Sequence, residues 1–197
     1  MIKRLFDILF SLFALLLFAP FFILISILVL FSGKGGIFFF QTRVGKGNKD
    51  FQIFKFRTMI PDSEKLGQLT VGDKDNRITK VGYYLRKLKV DEVPQLINVL
   101  MGDMSVVGPR PEVRKYVNMY NAEQLRVLEV KPGITDWASL KYFSESELMG
   151  KSANPEKTYI EKIMPEKLSI NLEYINNRSL ATDIKIIAKT IGRVFGI

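Results

Sequence analysis

An uncharged, strongly apolar segment near the amino terminus most constrains what this chain can fold into. Residues 8–31 read "ILFSLFALLLFAPFFILISILVLF", a run of 24 residues with no charged side chain. About 18 or more consecutive apolar residues are typical of a segment that enters or crosses a bilayer. The apolar core of a cleaved signal peptide is shorter, about 7–15 residues. The sequence therefore predicts a membrane segment over residues 1–32, followed by a second domain over residues 33–197.

The proline and the flanks of this segment indicate how it lies in the membrane. Pro20 falls at its centre, where proline removes a backbone donor and breaks or kinks a helix. Lys3 and Arg4 precede the segment and more cations follow from Lys34 onward, so both ends carry the positive charge of cytoplasmic flanks. A re-entrant helix–break–helix places both basic flanks on the cytoplasmic side, whereas a straight span places only one of them there. The sequence favours the re-entrant form and leaves the straight span open.

The composition excludes several kinds of chemistry. The chain has no histidine and no cysteine, so it cannot build a disulfide framework, a thiolate zinc site or a Ser-His catalytic pair. Any metal must bind to oxygen ligands, which favours a hard cation such as Mg²⁺. The net charge of +9 indicates a polyanionic partner, which could be nucleic acid, anionic lipid or a phosphorylated substrate.

The remainder of the chain is predicted as α+β and mostly helical. Residues 37–41 and 51–56 have strand-like patterns around a glycine-containing turn, which indicates a small β-hairpin, and the polar residues 61–76 indicate a loop. Apolar residues at helical spacing follow from residue 76, and residues 112–130 and 179–197 are predicted as amphipathic helices. The last helix either packs on the core or lies at the interface on anionic lipid.

An acidic pair opens the segment "KLKVDEVPQLINVLMGDMSVVGPRPE", residues 87–112. Asp91 and Glu92 precede Pro94 and an apolar helix, so one interpretation is a capping aspartate with a glutamate that complements the helix dipole. The alternative is a reactive carboxylate, because Arg86 and Lys89 beside the pair would keep Asp91 ionised and would attract phosphate.

Further cations could converge on the same anion. Arg110 stands between two prolines, which restrict the backbone and suit a guanidinium that binds phosphate, although a solvated arginine in a proline-rich turn is the common alternative. Lys55 and Arg57 are candidate substrate-binding residues, and Arg77 is a further cation. Asp136 and Tyr142 either shape a substrate pocket or pack in the core.

Several segments in a fixed order resemble those of a known family. They are "FFFQTRVGKGNKDFQIFKFRTM", "DNRITKVGYYLRKLKVDEVPQLINVLMGDMSVVGPRPE" and "VKPGIT". The chain resembles the bacterial sugar transferase family, the monotopic polyprenyl-phosphate phosphoglycosyl transferases, in its minimal single-domain form. The resemblance implies transfer of sugar-1-phosphate from a UDP-sugar to undecaprenyl phosphate through a covalent aspartyl-phosphosugar intermediate, with release of UMP. This would be the first membrane step of polysaccharide or glycoconjugate assembly.

The resemblance also implies roles for individual residues. Asp91 would be the nucleophile and would lie next to Mg²⁺, and Glu92 would position groups or handle protons. Arg110 would hold the nucleotide, and Lys55 and Arg86 match basic positions of the family's active site.

The same resemblance implies a location and partners. It implies a bacterial inner membrane protein with its catalytic domain on the cytoplasmic face, in contact with membrane lipid and with downstream glycosyltransferases as further candidate partners. No nucleic-acid-binding motif accompanies the positive charge, so no nucleic acid partner is expected. The alternative function is a membrane-anchored adaptor that binds anionic lipid without catalysis, which would need the cations but not the acids.

Overall fold

The computed structural model describes residues 2–63 and 75–196, and the polar segment predicted as a loop falls mostly outside these ranges. The described chain is mostly helical with small sheets, which confirms the predicted α+β class. Its helices are α1 Ile2–Leu17, α2 Ala19–Phe31, α3 Lys80–Lys87, α4 Gln95–Met101, α5 Arg114–Val117, α6 Trp137–Lys141, α7 Glu145–Gly150, α8 Pro155–Thr158, α9 Met164–Asn176 and α10 Leu180–Phe195. Its strands are β1 Phe38–Val44, β2 Asp50–Phe56, β3 Ser105–Val107 and β4 Gly133–Thr135.

The apolar amino-terminal segment forms two helices rather than one. Helix α1 ends just before Phe18, and α2 begins with Pro20 in its first turn, where the missing backbone donor costs least. Within the described residues, no single helix is long and apolar enough to cross a membrane. Helices α1 and α2 meet that test of length and composition only together, as a pair bent by 65°. The break predicted at the proline is therefore present.

The first turns of α1 are anchored to residues that follow the apolar segment in the chain. Lys3 forms an ion pair of 2.5 Å with the buried Asp183 of α10. Arg4 donates through Nη2 to the carbonyl of Leu100 at 2.9 Å, and so caps the carboxyl end of α4. Asp7, which is 2% exposed, accepts a bond of 3.1 Å from the backbone N–H of Val106. Lys3 thus holds α1 against α10, and Arg4 holds it against α4, the helix that follows the acidic pair.

The predicted hairpin is confirmed and is longer than the sequence pattern indicated. Strands β1 and β2 pair antiparallel from Phe38 opposite Phe56 to Val44 opposite Asp50. The turn between them contains Gly47 in a left-handed conformation, with φ of 69°, which glycine adopts without steric cost. Phe22 of α2 lies 4.8 Å from Phe56 between ring centroids, so the hairpin packs on the apolar segment.

Strands β3 and β4 were not predicted from the sequence. They pair in parallel and bring the segment before Arg110 against the "KPGIT" segment. The chain directly after β3 passes so close to the start of β4 that a Cβ built on Gly133 would lie 2.1 Å from the backbone nitrogen of Gly108. Only glycine fits at this crossing, which fixes the path of the chain immediately before the Pro-Arg-Pro sequence.

The helix predicted over residues 112–130 is wrong in its length. The structure has only α5 and a six-residue 3₁₀ helix, Gln124–Glu129, in this range. Between them the side chain of Asn121 accepts a bond of 2.9 Å from the backbone N–H of Gln124, and the side chain of Gln124 accepts one from the N–H of Asn121. Such local side-chain bonds compete with helical backbone bonds, so the amphipathic pattern does not continue as one helix.

Helix α10 is confirmed, with Ser179 as its N-cap. It buries Ile186 and Ile187 in a core cluster that also contains Val99 of α4 and Val106 of β3. A second apolar edge remains outside the core. Ile184, Ile191 and Phe195 are 52%, 50% and 72% exposed. The helix therefore packs on the core along one edge and presents an unpaired apolar edge along another.

Candidate active site

All six predicted site residues line one cavity of about 720 Å³. Its wall is built from the end of β2, the segment between α3 and α4, the Pro-Arg-Pro segment, and parts of α6, α7, α9 and α10. The residues in question are Lys55, Arg57, Arg86, Asp91, Glu92 and Arg110. Segments far apart in the chain thus bring the acidic pair and the cations to one place.

Asp91 is buried and unpaired at one of its oxygens. It lies in a single 3₁₀ turn, Val90–Glu92, which follows Lys89 in a left-handed conformation. Asp91 is 6% exposed and its Oδ1 has no hydrogen-bond partner, although the residue lines the cavity. Helix α4 begins later, after Pro94, without a side-chain cap. The capping interpretation of Asp91 is therefore wrong, because its carboxylate satisfies no backbone donor.

The surroundings of Asp91 raise its pKa to about 6. Burial is the largest cause, because a carboxylate loses solvation there, and the neighbouring charge of Glu92 adds to it. Lys55, Arg86 and Lys89 oppose both effects. Near neutral pH the side chain is thus ionised but poorly solvated, which are properties of a reactive nucleophile.

Glu92 is held by two cations. Its Oε1 accepts from Lys55 Nζ at 2.8 Å, and its Oε2 accepts from Arg110 Nη1 at 3.0 Å, while Arg110 Nη2 also donates to Oε1. Burial alone would raise the pKa of Glu92, but Arg110 and Lys55 outweigh burial and hold it well below its usual value. Glu92 therefore stays ionised near neutral pH and fixes both cations, a geometry that suits positioning rather than proton storage.

The pKa values of the two cations bound to Glu92 shift in opposite directions. Burial lowers the pKa of Lys55, although Glu92 partly restores it. The charge of Glu92 raises the pKa of Arg110 above its ordinary value. Both groups face the cavity beside Asp91, so they can bind an anion that approaches that carboxylate.

Asp136 holds Arg110 from the other side. Its Oδ2 accepts a bond of 2.8 Å from the backbone N–H of Arg110, and its Oδ1 accepts from the N–H of Ser139 as the N-cap of α6. Asp136 is completely buried. Of the two uses left open for this residue, the structure supports a packing and positioning one, whereas Tyr142 lines the cavity.

Glu112 is a member of this network that sequence reasoning missed. Its carboxylate accepts from Arg43 Nη1 at 3.0 Å, from the backbone N–H of Val113 at 2.7 Å and from the hydroxyl of Tyr159. These bonds tie the residue next to Pro111 to strand β1 and to the segment before α9. Its place in "GPRPE", two residues after Arg110, was the available sequence signal.

Arg57 lines the cavity, but two of its three side-chain nitrogens bind backbone carbonyls, and the third, Nη1, is buried without a hydrogen-bond partner. Nε donates to Gly36 at 2.7 Å, and Nη2 donates to Val29 at 2.8 Å and to Gly33 at 3.1 Å. These contacts cap the carboxyl end of α2 and hold the linker that follows it. A substrate-binding role for Arg57 stays a prediction. Arg77, the further cation, pairs with Asp75 at 2.6 Å.

The carboxylate of Asp91 is available to a hard metal ion in this cavity. No group of three or more acidic side chains in the described parts of the chain could hold a metal by itself. Glu92 is occupied by Lys55 and Arg110, whereas Asp91 Oδ1 is unpartnered. Mg²⁺ is commonly bound by one or two carboxylates together with substrate phosphates, so the residues present fit such an ion when a phosphorylated substrate completes its ligands.

Comparison with known proteins identifies the family of this chain. The model of the bacterial sugar transferase family matches residues 1–196, so the chain belongs to that family and the resemblance read from the sequence is confirmed. The chain is 41% identical over 194 residues to the UDP-N-acetylgalactosamine-undecaprenyl-phosphate N-acetylgalactosaminephosphotransferase of Aeromonas hydrophila. It is 36% identical over 200 residues to the UDP-glucose:undecaprenyl-phosphate glucose-1-phosphate transferase of Escherichia coli (strain K12).

The extent of these matches differs among relatives. The matched region covers 96% of this chain but 43% of the Aeromonas protein, and 99% of this chain but 40% of the Escherichia protein. An uncharacterized sugar transferase of Bacillus subtilis (strain 168) is 38% identical over 194 residues, which cover 98% of this chain and 87% of that protein. The relatives' names differ in the sugar, so family membership by itself does not select one.

Proposed function

We propose that this protein transfers sugar-1-phosphate from a UDP-sugar to undecaprenyl phosphate and releases UMP. The observation that carries the proposal is the buried, unpartnered Oδ1 of Asp91 in a cavity that also holds Lys55, Arg86 and Arg110. A carboxylate in such a place can act as a nucleophile without a base, because it is already deprotonated near neutral pH. The names of the relatives support the substrate class.

In the first step Asp91 attacks the β-phosphorus of the UDP-sugar. An oxygen of Asp91 forms a bond to this phosphorus, and the bond from the phosphorus to the bridging oxygen breaks. The electron pair leaves on UMP, and an acyl phosphate carrying the sugar remains on Asp91. Arg110 and Lys55, held in place by Glu92, offset the negative charge that opposes attack at phosphorus.

In the second step a phosphate oxygen of undecaprenyl phosphate attacks the same phosphorus. The new phosphorus–oxygen bond replaces the bond to Asp91, which leaves as a carboxylate. The product is a polyprenyl diphosphate sugar, and the protein returns to its starting state. Dividing one transfer between two anions into two steps lets the same carboxylate react with both substrates in turn.

Mg²⁺ is part of this proposal. Asp91 would hold it together with phosphate oxygens of the donor, and the ion would neutralise charge on the diphosphate. The protein's own residues position the donor and keep Asp91 ionised.

We further propose that residues 1–32 form a re-entrant segment in the inner membrane, with residues 33–197 on the cytoplasmic face. The 65° bend between α1 and α2 supports this topology, as do the cations on both flanks. The exposed apolar edge of α10 suits an interfacial helix in contact with membrane lipid. The lipid-linked product would then serve downstream glycosyltransferases.

Release of UMP from a panel of UDP-sugars tests the proposed function. We expect wild-type protein with Mg²⁺ and undecaprenyl phosphate to release UMP from at least one sugar nucleotide, with one lipid-linked sugar formed for each UMP. Omission of the lipid should reduce release to at most one equivalent per protein. No release from any sugar nucleotide, with retained binding to anionic lipid, would favour the membrane-anchored adaptor instead.

The pH dependence of the reaction should report the pKa of Asp91. Since kcat/KM for the donor reflects groups of the free enzyme, it should be constant above about pH 7 and fall below pH 6. At lower pH the fall should approach tenfold per pH unit, as one carboxylate becomes protonated. Initial rates of UMP release between pH 4.5 and 8 measure this. A flat profile over that range would contradict Asp91 as the titrating nucleophile.

A further inference from the structure

Three cations near Asp91 have no role in the network around Glu92. Lys89 Nζ lies 5.1 Å from the centroid of the Phe143 ring, and the guanidinium of Arg193 in α10 lies 5.4 Å from the same centroid. Arg86 stands three residues before Lys89 and lines the cavity. Among residues 2–63 and 75–196, no carboxylate forms an ion pair with any of these three cations. The chain thus gathers positive charge here without neutralising it.

This cluster differs from the cations that Glu92 holds. Lys55 and Arg110 share one carboxylate and form a pre-arranged ion-pair group. Lys89 and Arg193 both contact the ring of Phe143, whose face attracts cations weakly. Two like charges at one ring repel each other, and an anion between them would remove that repulsion. The arrangement therefore suits a bound anion.

The cluster lies beside the reactive carboxylate. Lys89 and Arg86 both lower the pKa of Asp91 by their charge, and Lys89, Phe143 and Asp91 line the same cavity. Arg193 contacts Phe143 from outside the lining of this cavity, so an anion bound by Arg86, Lys89 and Arg193 would lie at the edge of the cavity in which Asp91 reacts.

The adjoining wall of the cavity is apolar. It is formed by side chains of α1, of α10 and of the turn after α3, namely Phe10, Leu88, Ile191, Val194 and Phe195. Leu88, Ile191 and Phe195 are 52%, 50% and 72% exposed, so this wall continues onto the open apolar edge of α10. A nucleoside diphosphate sugar has no long apolar part to cover such a surface. A phosphate ester of a long hydrocarbon chain has an anion that the three cations can bind and an apolar tail that can cover the apolar wall.

We propose that Arg86, Lys89 and Arg193 around Phe143 form the binding site for the acceptor's monophosphate, with its isoprenoid chain along α10 toward α1. This inference rests on the proposed function, because it assigns a place to the second substrate of that reaction. It gives Arg193 and Phe143 a role in acceptor binding. The donor diphosphate uses Lys55 and Arg110 instead.

The test compares Arg193→Gln with Lys189→Gln in full-length protein in a neutral detergent. Both residues are exposed cations of α10 and neither lines the cavity, but Arg193 lies over Phe143, which does line it, whereas Lys189 lies over Trp137, at 5.2 Å, which does not. We expect Arg193→Gln to raise the KM for undecaprenyl phosphate by about tenfold, as expected for one lost charge-assisted contact. The KM for the UDP-sugar and the amount of UMP released without acceptor should change less than about twofold. Lys189→Gln should match wild type.

The other outcomes would overturn the inference. An equal rise in acceptor KM for both variants would mean that α10 contributes only general positive charge. A rise that appears in phosphatidylglycerol vesicles but not in neutral detergent would identify an anionic phospholipid site instead. An unchanged acceptor KM in Arg193→Gln, with normal UMP release, would reject the inference while the proposed function stands. Absence of UMP release from wild type would reject the proposed function itself.

Discussion

Replacement of Asp91 by asparagine is expected to abolish turnover, with UMP release reduced by about 10⁴-fold or more, as when a covalent nucleophile is removed. Asparagine has nearly the same shape, but its amide is a poor nucleophile and cannot form the acyl phosphate. Wild-type protein treated with donor and quenched before acceptor is added should carry a phosphosugar on Asp91 in mass spectrometry. The Asp91→Asn protein should carry none.

The matched control is Asp50→Asn. Asp50 pairs with Arg114 at 2.5 Å on the surface of the hairpin and does not line the cavity. This variant should retain wild-type turnover and the adduct. An adduct on a residue other than Asp91, or normal UMP release by Asp91→Asn, would contradict the proposed chemistry.

The same Asp91→Asn substitution should stabilise the fold. The folded protein has a pKa of about 6 at Asp91, above the ordinary 3.8, so the folded state binds a proton more strongly than the unfolded state. Ionisation of Asp91 therefore lowers stability as pH rises from about 4 to 6, and the full cost persists above that range. Removing the charge should raise the free energy of unfolding at pH 8 by about 1–3 kcal/mol. Loss of stability would instead attribute the inactivity to misfolding.

Glu92→Gln is expected to have the second-largest effect, about 10²–10³-fold on kcat. The amide cannot neutralise Lys55 and Arg110, which would be left close together without their shared carboxylate. Both cations would then be poorly placed to stabilise charge at phosphorus. Stability should also fall, by about 1–3 kcal/mol, because an ion-pair group with limited exposure loses its anion.

The pH profile distinguishes positioning from proton handling by Glu92. The charge of Glu92 helps to raise the pKa of Asp91, so its removal should move the acid limb of kcat/KM to lower pH. A proton-handling role predicts instead that a limb of the profile disappears. Glu156→Gln is the control, since Glu156 pairs with Lys115 on the surface and does not line the cavity. It should leave both the rate and the profile unchanged.

Local sequence patterns were sufficient for elements that depend on nearby residues. The break at Pro20 and the hairpin with Gly47 follow from backbone chemistry within a few residues. The predicted helix over residues 112–130 was wrong, because two polar side chains bond locally to backbone groups that a helix would use. The spacing of hydrophobic residues carries no information about that competition.

The site was only partly predictable for a related reason. Lys55 lies in β2 and Arg57 directly follows that strand, and both have the charge expected of a phosphate ligand. Only the packing of α2 on the hairpin gives Arg57 three backbone carbonyls, while Lys55 meets Glu92. Asp136 and Glu112 likewise acquire their roles through contacts with residues distant in the chain.

The sequence by itself determined an apolar amino-terminal segment broken at Pro20, a chemistry restricted to oxygen ligands and phosphate-binding cations, and membership in the bacterial sugar transferase family. Only the tertiary structure decided that Asp91 is buried with a free oxygen, while its neighbour Glu92 is neutralised by Lys55 and Arg110. The physical reason is that charge, hydropathy and backbone preference belong to single residues and short segments. Burial and ion pairing depend on which distant segments pack together. Burial and ion pairing in turn set the different pKa values of the two adjacent carboxyl groups.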